Sequence, residues 1–511
     1  MWLFVANFVS KKITLNNSAG KKDTKLIAFL RTLSKIELSE FDKFLKSPYF
    51  KKERDPLPLY NYLKRHYPEF PPDKVIEEQI INELYPGEKS DDKKYRDLVR
   101  NISSTLLKAV NEFMIHSSVK NNVMLKNRIV LNGFLDRNLL KYYDQFLADS
   151  YKELSLMNQE SATVALEYFQ LEQLNTRYFA YTLEYKKFLD HGIRSLEWNS
   201  AQFILNLIWT AKIKYLEETY NNAKPESDFT DRIIEAIDIE KAIDAFSAHE
   251  KYPQLLFNYY AYKSIINEND LDYYRKAKTI FIANRSNISR FEKNFFYADL
   301  MNILSSGKDI SDGYKRSELF EIMSFCVEDK AYKVSDDDFM HPAFYRSAVI
   351  HSTAVREYDW AENFIENYTD ELQPEYVDNM KYFSLAVVKF ARGDFEESLQ
   401  YVSKVKYDFV RLKTDVKFLM LKIYYELNLE DPAHFLIDTF KHYASDSKEI
   451  SEDTRISVKN FLKHYSQLHK LKNTHKSSEV EFIRKTMDNE KLLYHKDWLL
   501  EKANELALNI K

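Results

Sequence analysis

The sequence predicts an all-α protein, and three observations support that prediction. Glycine and proline are scarce: 7 glycines and 12 prolines make 19 of 511 residues, about 4%, against roughly 12% in average proteins. Sheets and phosphate-binding loops need these residues at turns and at close backbone approaches. Apolar residues form 45% of the chain and recur at intervals of three and four positions along it. We therefore expect more than about two thirds helix and essentially no sheet, well above the average helix content.

The charge balance and the cysteine content argue against several classes of protein. The 74 lysines and arginines are matched by 78 aspartates and glutamates, so no basic field exists to attract nucleic acid or an acidic membrane. Cys326 is the single cysteine, and one thiol forms neither an internal disulfide nor a cysteine-rich zinc site. No run approaches the ~18 apolar residues of a membrane helix. We expect a cytoplasmic protein whose partner is a protein or a peptide, with its oligomeric state left open.

Prolines and polar stretches divide the chain into five predicted regions. A poorly ordered leader occupies 1–23, and an N-terminal helical domain of short helices follows at 24–118. A region of longer helices spans 119–227. Helical hairpins are expected over 228–470, and a C-terminal capping helix over 471–511.

Two stretches predict helices of unusual length. Asp91 precedes an amphipathic helix whose apolar residues follow one another at short helical steps. These residues are Tyr95, Leu98, Val99, Ile102, Leu106, Ala109, Val110 and Phe113. Further along, 161–190 predicts one helix that stops at the His-Gly pair 191–192, and Asn199 is expected to begin the next helix. The polar segment 221–227 then predicts a linker.

Three helices in the C-terminal half are expected to begin in a similar way. In Asp359-Trp-Ala-Glu362 and Asp394-Phe-Glu-Glu397, an aspartate takes the N-cap position and a glutamate the third helical position, which is typical of a capping box. Asp431 precedes a proline, which suits the first helical position. The three aspartates lie 35 and 37 residues apart. An apolar residue follows each by five positions: Phe364, Leu399 and Leu436.

The helices before the last two of these caps share a motif. Its residues are Tyr382, Leu385 and Ala386 in the second unit, and Phe418, Leu421 and Tyr425 in the third. Over 341–445 the pattern resembles the tetratricopeptide repeat (TPR), which reads W-x2-L-G-x2-Y in its first helix and has a period of ~34 residues. His351 and Lys422 stand where that family has a small residue.

This resemblance implies a fold and a type of function. Tetratricopeptide repeats stack as a right-handed superhelix, and their concave face holds a peptide or a partner protein. By resemblance, the concave face of the second unit would present Phe383, Val387 and Phe390. The N-terminal block also resembles a segment of uncharacterised bacterial helical-repeat proteins, and that second resemblance implies no activity.

The distribution of polar residues favours a different surface for the partner. Burying a lysine without a partner is costly, so the polar strips of helices 376–391 and 414–427 are expected to face water. The strip residues that we expect to contact a mixed-charge peptide or protein surface are Lys381, Ser384, Asp415, Lys422 and Glu426. The two interpretations imply different grooves, one apolar and one polar.

No pattern in the chain predicts catalysis. The seven glycines form neither a Walker A motif nor a G-x-G-x-x-G motif. His464, His469 and His475 are spaced 5 and 6 apart, which does not place them on one helical face as zinc ligands. Cys326 lies in an apolar helical run and is expected to be a buried structural residue. We therefore expect no enzyme, no cofactor and no metal.

A transcription regulator is the alternative function. Lys93, Arg96 and Arg100 share the polar face of one helix, superficially similar to regulators that join a winged-helix DNA-binding domain to tetratricopeptide repeats. A β-hairpin wing near 24–118 would favour that alternative, and an all-helical block would favour the scaffold. A second basic stretch, 455–476, is expected to be the exposed side of the last hairpins.

Overall fold

The computed structural model is helical throughout the residues that it describes. Of those residues 79% are helical, and they contain no strand. The prediction of an all-α protein is therefore confirmed, and the leader predicted at 1–23 lies outside the described residues. The described ranges are 24–48, 54–221, 223–267, 270–306, 311–406, 410–447, 451–474 and 477–509.

The described chain divides into two compact units, 24–207 and 208–509. The first unit contains short helices followed by longer ones, as the sequence predicts. Its helices are α1 (Lys25–Thr32), α2 (Lys35–Lys46), α3 (Leu57–Lys64), α4 (Glu77–Leu84), α5 (Lys93–Asn121), α6 (Val123–Asp136), α7 (Leu140–Ser155), α8 (Ser161–Tyr181) and the larger part of α9 (Tyr185–Asn221). The finer division into five regions stays a prediction.

Aromatic side chains pack against one another within the mainly aliphatic cores of the first unit. Among α1–α5, the Phe41 ring packs edge-on against Tyr60 with centroids 5.2 Å apart, and it lies 5.1 Å from the ring of Phe113. The buried Tyr60 hydroxyl donates a hydrogen bond to the Leu38 carbonyl at 2.9 Å, so no polar atom of this ring is left unpaired. The amphipathic α5 was predicted, and Asp92 caps it instead of Asp91.

The prediction of a single helix over 161–190 is wrong. The helix is interrupted between α8 and α9. Leu183 takes a left-handed conformation there with φ of 60°, and the Glu184 N–H donates to the Phe179 carbonyl at 3.1 Å. Helix α9 then continues through 191–192 and through Asn199 without interruption.

A tertiary contact explains why the His-Gly pair does not end the helix. The imidazole of His191 makes a 2.6 Å hydrogen bond through Nδ1 to the Glu172 carboxylate of α8, and it stacks on the ring of Phe179 at 4.9 Å. Packing between two helices thus overrides the local preference of Gly192.

The second unit consists of helices that pack in consecutive pairs. They are α10 (Phe229–Ala236), α11 (Ile239–Asp244), α12 (Tyr252–Ile266), α13 (Leu271–Asn284), α14 (Arg290–Ser306), α15 (Asp312–Glu328), α16 (Pro342–Ala354), α17 (Tyr358–Tyr368), α18 (Pro374–Arg392), α19 (Phe395–Val402), α20 (Val410–Glu426), α21 (Glu430–Asp446), α22 (Glu452–Thr474), α23 (Ser477–Asn489) and α24 (Lys496–Asn509). Some alternate helices also touch: α12 with α14, α16 with α18, α18 with α20, and α22 with α24. The capping region that we expected as one helix is two, α23 and α24.

The N-caps predicted from the repeats are only partly right. Asp394 occupies the N-cap position of α19, but its side chain makes no capping hydrogen bond. Asp359 lies inside α17, where Glu357 is the cap, and its carboxylate instead pairs with Arg392 at 2.8 Å. Asp431 is the second residue of α21.

Backbone turns begin these three helices in place of side-chain caps. Each follows a residue with positive φ, and the next N–H donates to the carbonyl five positions earlier at 2.9 Å. The residues with positive φ are Arg356, Gly393 and Asn428. The turn itself therefore sets where each helix begins.

No helix among the described residues is long and apolar enough to cross a membrane.

We predict that two aspartates at helix starts differ in their contribution to stability. Asp270 accepts a 2.8 Å hydrogen bond from the Asp272 N–H and caps α13, whereas Asp394 makes no such bond. Asp270→Ala should therefore lower the free energy of unfolding by roughly 0.5–2 kcal/mol, and Asp394→Ala by at most a few tenths. Urea titrations followed by circular dichroism measure both variants. An equal loss in the two would contradict the absence of capping at Asp394.

Candidate functional site

The five residues of the predicted strip lie on α18 and α20, two helices that pack against each other. Lys381 is exposed, as expected. Ser384 is completely buried, so the prediction that it faces water is wrong. Helix α18 packs against α16, α17, α19 and α20, which leaves only a narrow part of its surface open.

The carboxylate of Asp415 is held by an arginine from another hairpin. Arg346 on α16 donates from Nη2 to Oδ1 at 2.6 Å and from Nε to Oδ2. The two side chains are only 25% and 17% exposed, so water screens this ion pair weakly. A two-point pair between planar groups also fixes their orientation, and it links α16 directly to α20.

Lys422 lies two turns further along α20, and no described residue forms an ion pair with it. Its Nζ lies 5.0 Å from the centroid of the Phe390 ring on α18, which is a cation–π contact. Within the described part of the chain, no hydrogen bond or ion pair reaches this ammonium group. Burial lowers the pKa of Lys422 to about 8, against the opposing effect of Asp415, Glu426 and Glu501.

The carboxylate of Glu426 contacts α24. It accepts hydrogen bonds from Lys502 Nζ at 3.0 Å and from Trp498 Nε1 at 3.3 Å. Its side chain is 13% exposed. A lysine and a glutamate four residues apart on one helix commonly pair with each other. Here Glu426 pairs with Lys502 of α24 instead of with Lys422.

Two histidines that the sequence analysis did not choose belong to the same surroundings. His351 on α16 has a buried Nδ1 without a hydrogen-bond partner, and burial together with Arg346 and Arg316 lowers its pKa to about 4. His495, just before α24, packs edge-on against a phenylalanine of α20 at 4.8 Å. Its pKa is lowered by the surrounding protein and by the cations Lys422, Arg346 and Arg316.

The residue that precedes α24 is nevertheless open to water. More than a third of His495 is accessible, although protein surrounds it on most sides. Lys422 combines partial exposure and enclosure in the same way. Both residues therefore keep some contact with water.

These contacts define a group of charged and titratable residues contributed by α15, α16, α20, α24 and the residue before α24, which we call the Lys422 cluster. Its members are Arg316, Arg346, His351, Asp415, Lys422, Glu426, His495 and Asp497. Arg316 pairs with Asp497, so α15 is joined to α24. Two of the three cations are thus neutralised by carboxylates, and Lys422 is not.

The chemistry of the cluster suits recognition of a charged group. The members are cations, carboxylates and imidazoles, and none carries a hydroxyl or a thiol. Among the described residues, no group of three or more acidic, histidine or cysteine side chains could hold a metal ion.

The sequence signal for part of this cluster was already present. His351 and Lys422 are the two positions at which the repeat motif has a large polar residue in place of a small one. Arg316, Arg346, His495 and Asp497 left no comparable signal, because their roles depend on contacts between distant parts of the chain.

The residues of the DNA-binding alternative lie on the surface of α5. Lys93, Arg96 and Arg100 are exposed, and Arg100 pairs with Glu77 at 2.9 Å. The Arg96 side chain donates to a backbone carbonyl at 3.1 Å. Residues 24–48 and 54–118 contain no strand, so this described part of the block has no β-hairpin wing.

We expected the C-terminal basic stretch 455–476 to be exposed, and for Lys472 this expectation is wrong. Lys472 on α22 donates to the Tyr425 carbonyl at 2.7 Å, and its ammonium lies 4.4 Å from the centroid of that ring. Burial lowers the pKa of Lys472. The positions of His475 and Lys476 lie outside the described residues.

The structural assignment of Cys326 is confirmed. The thiol is buried, and burial raises its pKa well above the ordinary value. A thiol in this state is a poor nucleophile, because the thiolate is the reactive form.

Comparison of the chain with protein-family models, with curated proteins and with solved structures finds no match. The resemblance to tetratricopeptide repeats therefore rests on the residues of the sequence alone.

We predict that Lys422 destabilises the fold at neutral pH. Because its pKa is lower in the folded chain than in the unfolded one, the ammonium form costs stability below pH 8, and this cost disappears as the pH rises from about 8 towards 10.4. Lys422→Met should raise the melting temperature at pH 7 and give a smaller gain at pH 9.5. Lys381→Met, at an exposed site, is the control and should change little. A lower melting temperature for Lys422→Met at pH 7 would show that the ammonium has a stabilising partner.

Proposed function

We propose that this chain is a non-catalytic scaffold that binds a peptide, or a segment of a partner protein, at the Lys422 cluster. The observation that carries the proposal is the state of Lys422, an ammonium group removed from much of its water and given no anion in return. Proteins seldom keep such a lysine for stability, because desolvation of an unpaired charge is costly. A ligand that supplies the missing contact would explain why it is there.

The proposed architecture is a TPR-like solenoid. The supporting observation is that α16, α18 and α20, the first helices of three successive hairpins, pack side by side. Stacking of hairpins in parallel register produces such contacts, and in a right-handed superhelix these first helices would line the concave face. On that proposal the Lys422 cluster lies on the concave side.

The polar groove is favoured over the apolar one that the family resemblance implies. Phe383 is buried in the core, and Val387 and Phe390 are partly buried against it. They are therefore poorly placed to form a continuous apolar surface for a partner. Lys381 and Lys422 keep contact with water and are better placed.

Among the described residues, the contacts of Lys93, Arg96 and Arg100 do not support the DNA-binding alternative. The neutralised Arg100 weakens the positive patch on α5, and the net charge of −4 opposes approach to DNA. A cytoplasmic protein partner remains the proposal.

The test of this function is capture of a partner from a cytoplasmic extract of the native cells. We expect the wild-type chain to retain a defined protein, and Lys422→Met to retain at least about fivefold less, which corresponds to ~1 kcal/mol of binding energy. Lys417→Met is the matched control, because Lys417 lies on α20 too and contacts the ring of Phe440 at 5.7 Å, outside the cluster. Failure of the wild-type chain to retain any protein would overturn the proposal. Equal retention by all three chains would place the binding surface elsewhere.

A further inference from the structure

Three described side chains on one face of α20 are charged, Asp415, Lys422 and Glu426, and of these three only Lys422 forms no ion pair with a described residue. Asp415 is bound at both oxygens by Arg346, and Glu426 is bound by Lys502 and Trp498. Neither carboxylate lies within 4.0 Å of Lys422 Nζ, the distance that defines an ion pair. From the sequence, we expected Asp415 and Glu426 to contact a ligand, but both carboxylates are already bound by side chains of this chain.

The ammonium group of Lys422 is held in place while it lacks an anion. The Phe390 ring, 5.0 Å away on α18, contributes a cation–π contact on one side. His495 lies near enough for the lysine charge to affect its titration, and its ring is partly open to water. Lys422 itself is also partly exposed, so its side chain is not sealed off from solvent.

We propose that Lys422 anchors a subsite for a single carboxylate, supplied by an acidic side chain or by the C-terminus of the bound partner segment. This inference rests on the proposed scaffold function and names the chemistry that the scaffold recognises. A carboxylate would replace the water that Lys422 has lost and would form a charge-assisted hydrogen bond in a partly enclosed site.

A carboxylate suits the site better than a phosphate group does. A phosphate monoester carries about −1.5 to −2 charges and three strong acceptor oxygens, and it is best held by several cationic donors. The two guanidinium groups nearby, Arg316 and Arg346, are already engaged by Asp497 and Asp415. Glu426 and Glu501 also repel a second negative charge. One ammonium group can neutralise one carboxylate without displacing any of these pairs.

The first experiment measures protection of Lys422 from acetylation by an N-hydroxysuccinimide ester, with mass spectrometry of the digested full-length chain. The probe is sodium acetate at about pH 8, sodium chloride at equal ionic strength is the reference, and inorganic phosphate is the second anion. Lys417 is the internal control, because it lies on the same helix, contacts an aromatic ring and also has a pKa lowered by burial. We expect acetate to slow the modification of Lys422 at least about threefold and to leave the rate at Lys417 unchanged.

Each other outcome contradicts part of the proposal. Equal rates in acetate and chloride, or equal protection of both lysines, would overturn the subsite. Stronger protection by phosphate than by acetate would overturn the assignment to a carboxylate. The capture experiment tests the scaffold function independently of the subsite. If acetate protects Lys422 but the wild-type chain retains no partner, the subsite stands and the scaffold function does not. If a partner is retained equally by wild type and Lys422→Met and acetate gives no protection, the subsite fails, and the scaffold function stands only with a binding surface outside the Lys422 cluster.

Discussion

One repeated backbone hydrogen bond ends helices throughout this protein and turns the chain back on itself. At six helix ends in the described residues, a residue with positive φ is followed by an N–H that donates to the carbonyl five positions earlier, at 2.8–3.1 Å. The residues with positive φ are Asn138, Leu183, Lys330, Arg356, Gly393 and Asn428. Only Gly393 takes this conformation without the cost of about 1–2 kcal/mol that other residues bear. The hydrogen bond satisfies a carbonyl that the helix leaves free, and the burial of paired helices offsets the cost.

These turns determine which charged residues meet. Because each turn returns the chain, α16, α18 and α20 come to lie side by side although they are separate in sequence. Arg346 then reaches Asp415, 69 positions away, and Arg316 reaches Asp497, 181 positions away. The C-terminal helix completes the arrangement, since its Lys502 and Trp498 bind the Glu426 carboxylate. An unpaired lysine is thus the result of a competition for carboxylates that the hairpin packing decides.

The candidate site was only partly predictable from the sequence. Lys422 and Asp415 were recognised as polar residues on an otherwise apolar helix, and that reasoning needs only the helical period. The same reasoning failed for Ser384, because the polar strip of a helix is covered wherever a neighbouring helix lies on it. Asp359 was taken for a helix cap from its spacing, whereas a turn at Arg356 begins the helix earlier and leaves the carboxylate to pair with Arg392.

The sequence by itself determined that this protein is built of helices and where most of them lie. The scarcity of glycine and proline and the helical spacing of apolar residues are local properties of the sequence. Helix formation depends on such local properties, because its hydrogen bonds join residues close together in the chain. The tertiary structure alone decided why α9 continues past His191 and which cation of the Lys422 cluster lacks an ionic partner. Those features depend on contacts between side chains far apart in the chain, and no local sequence pattern predicts such contacts.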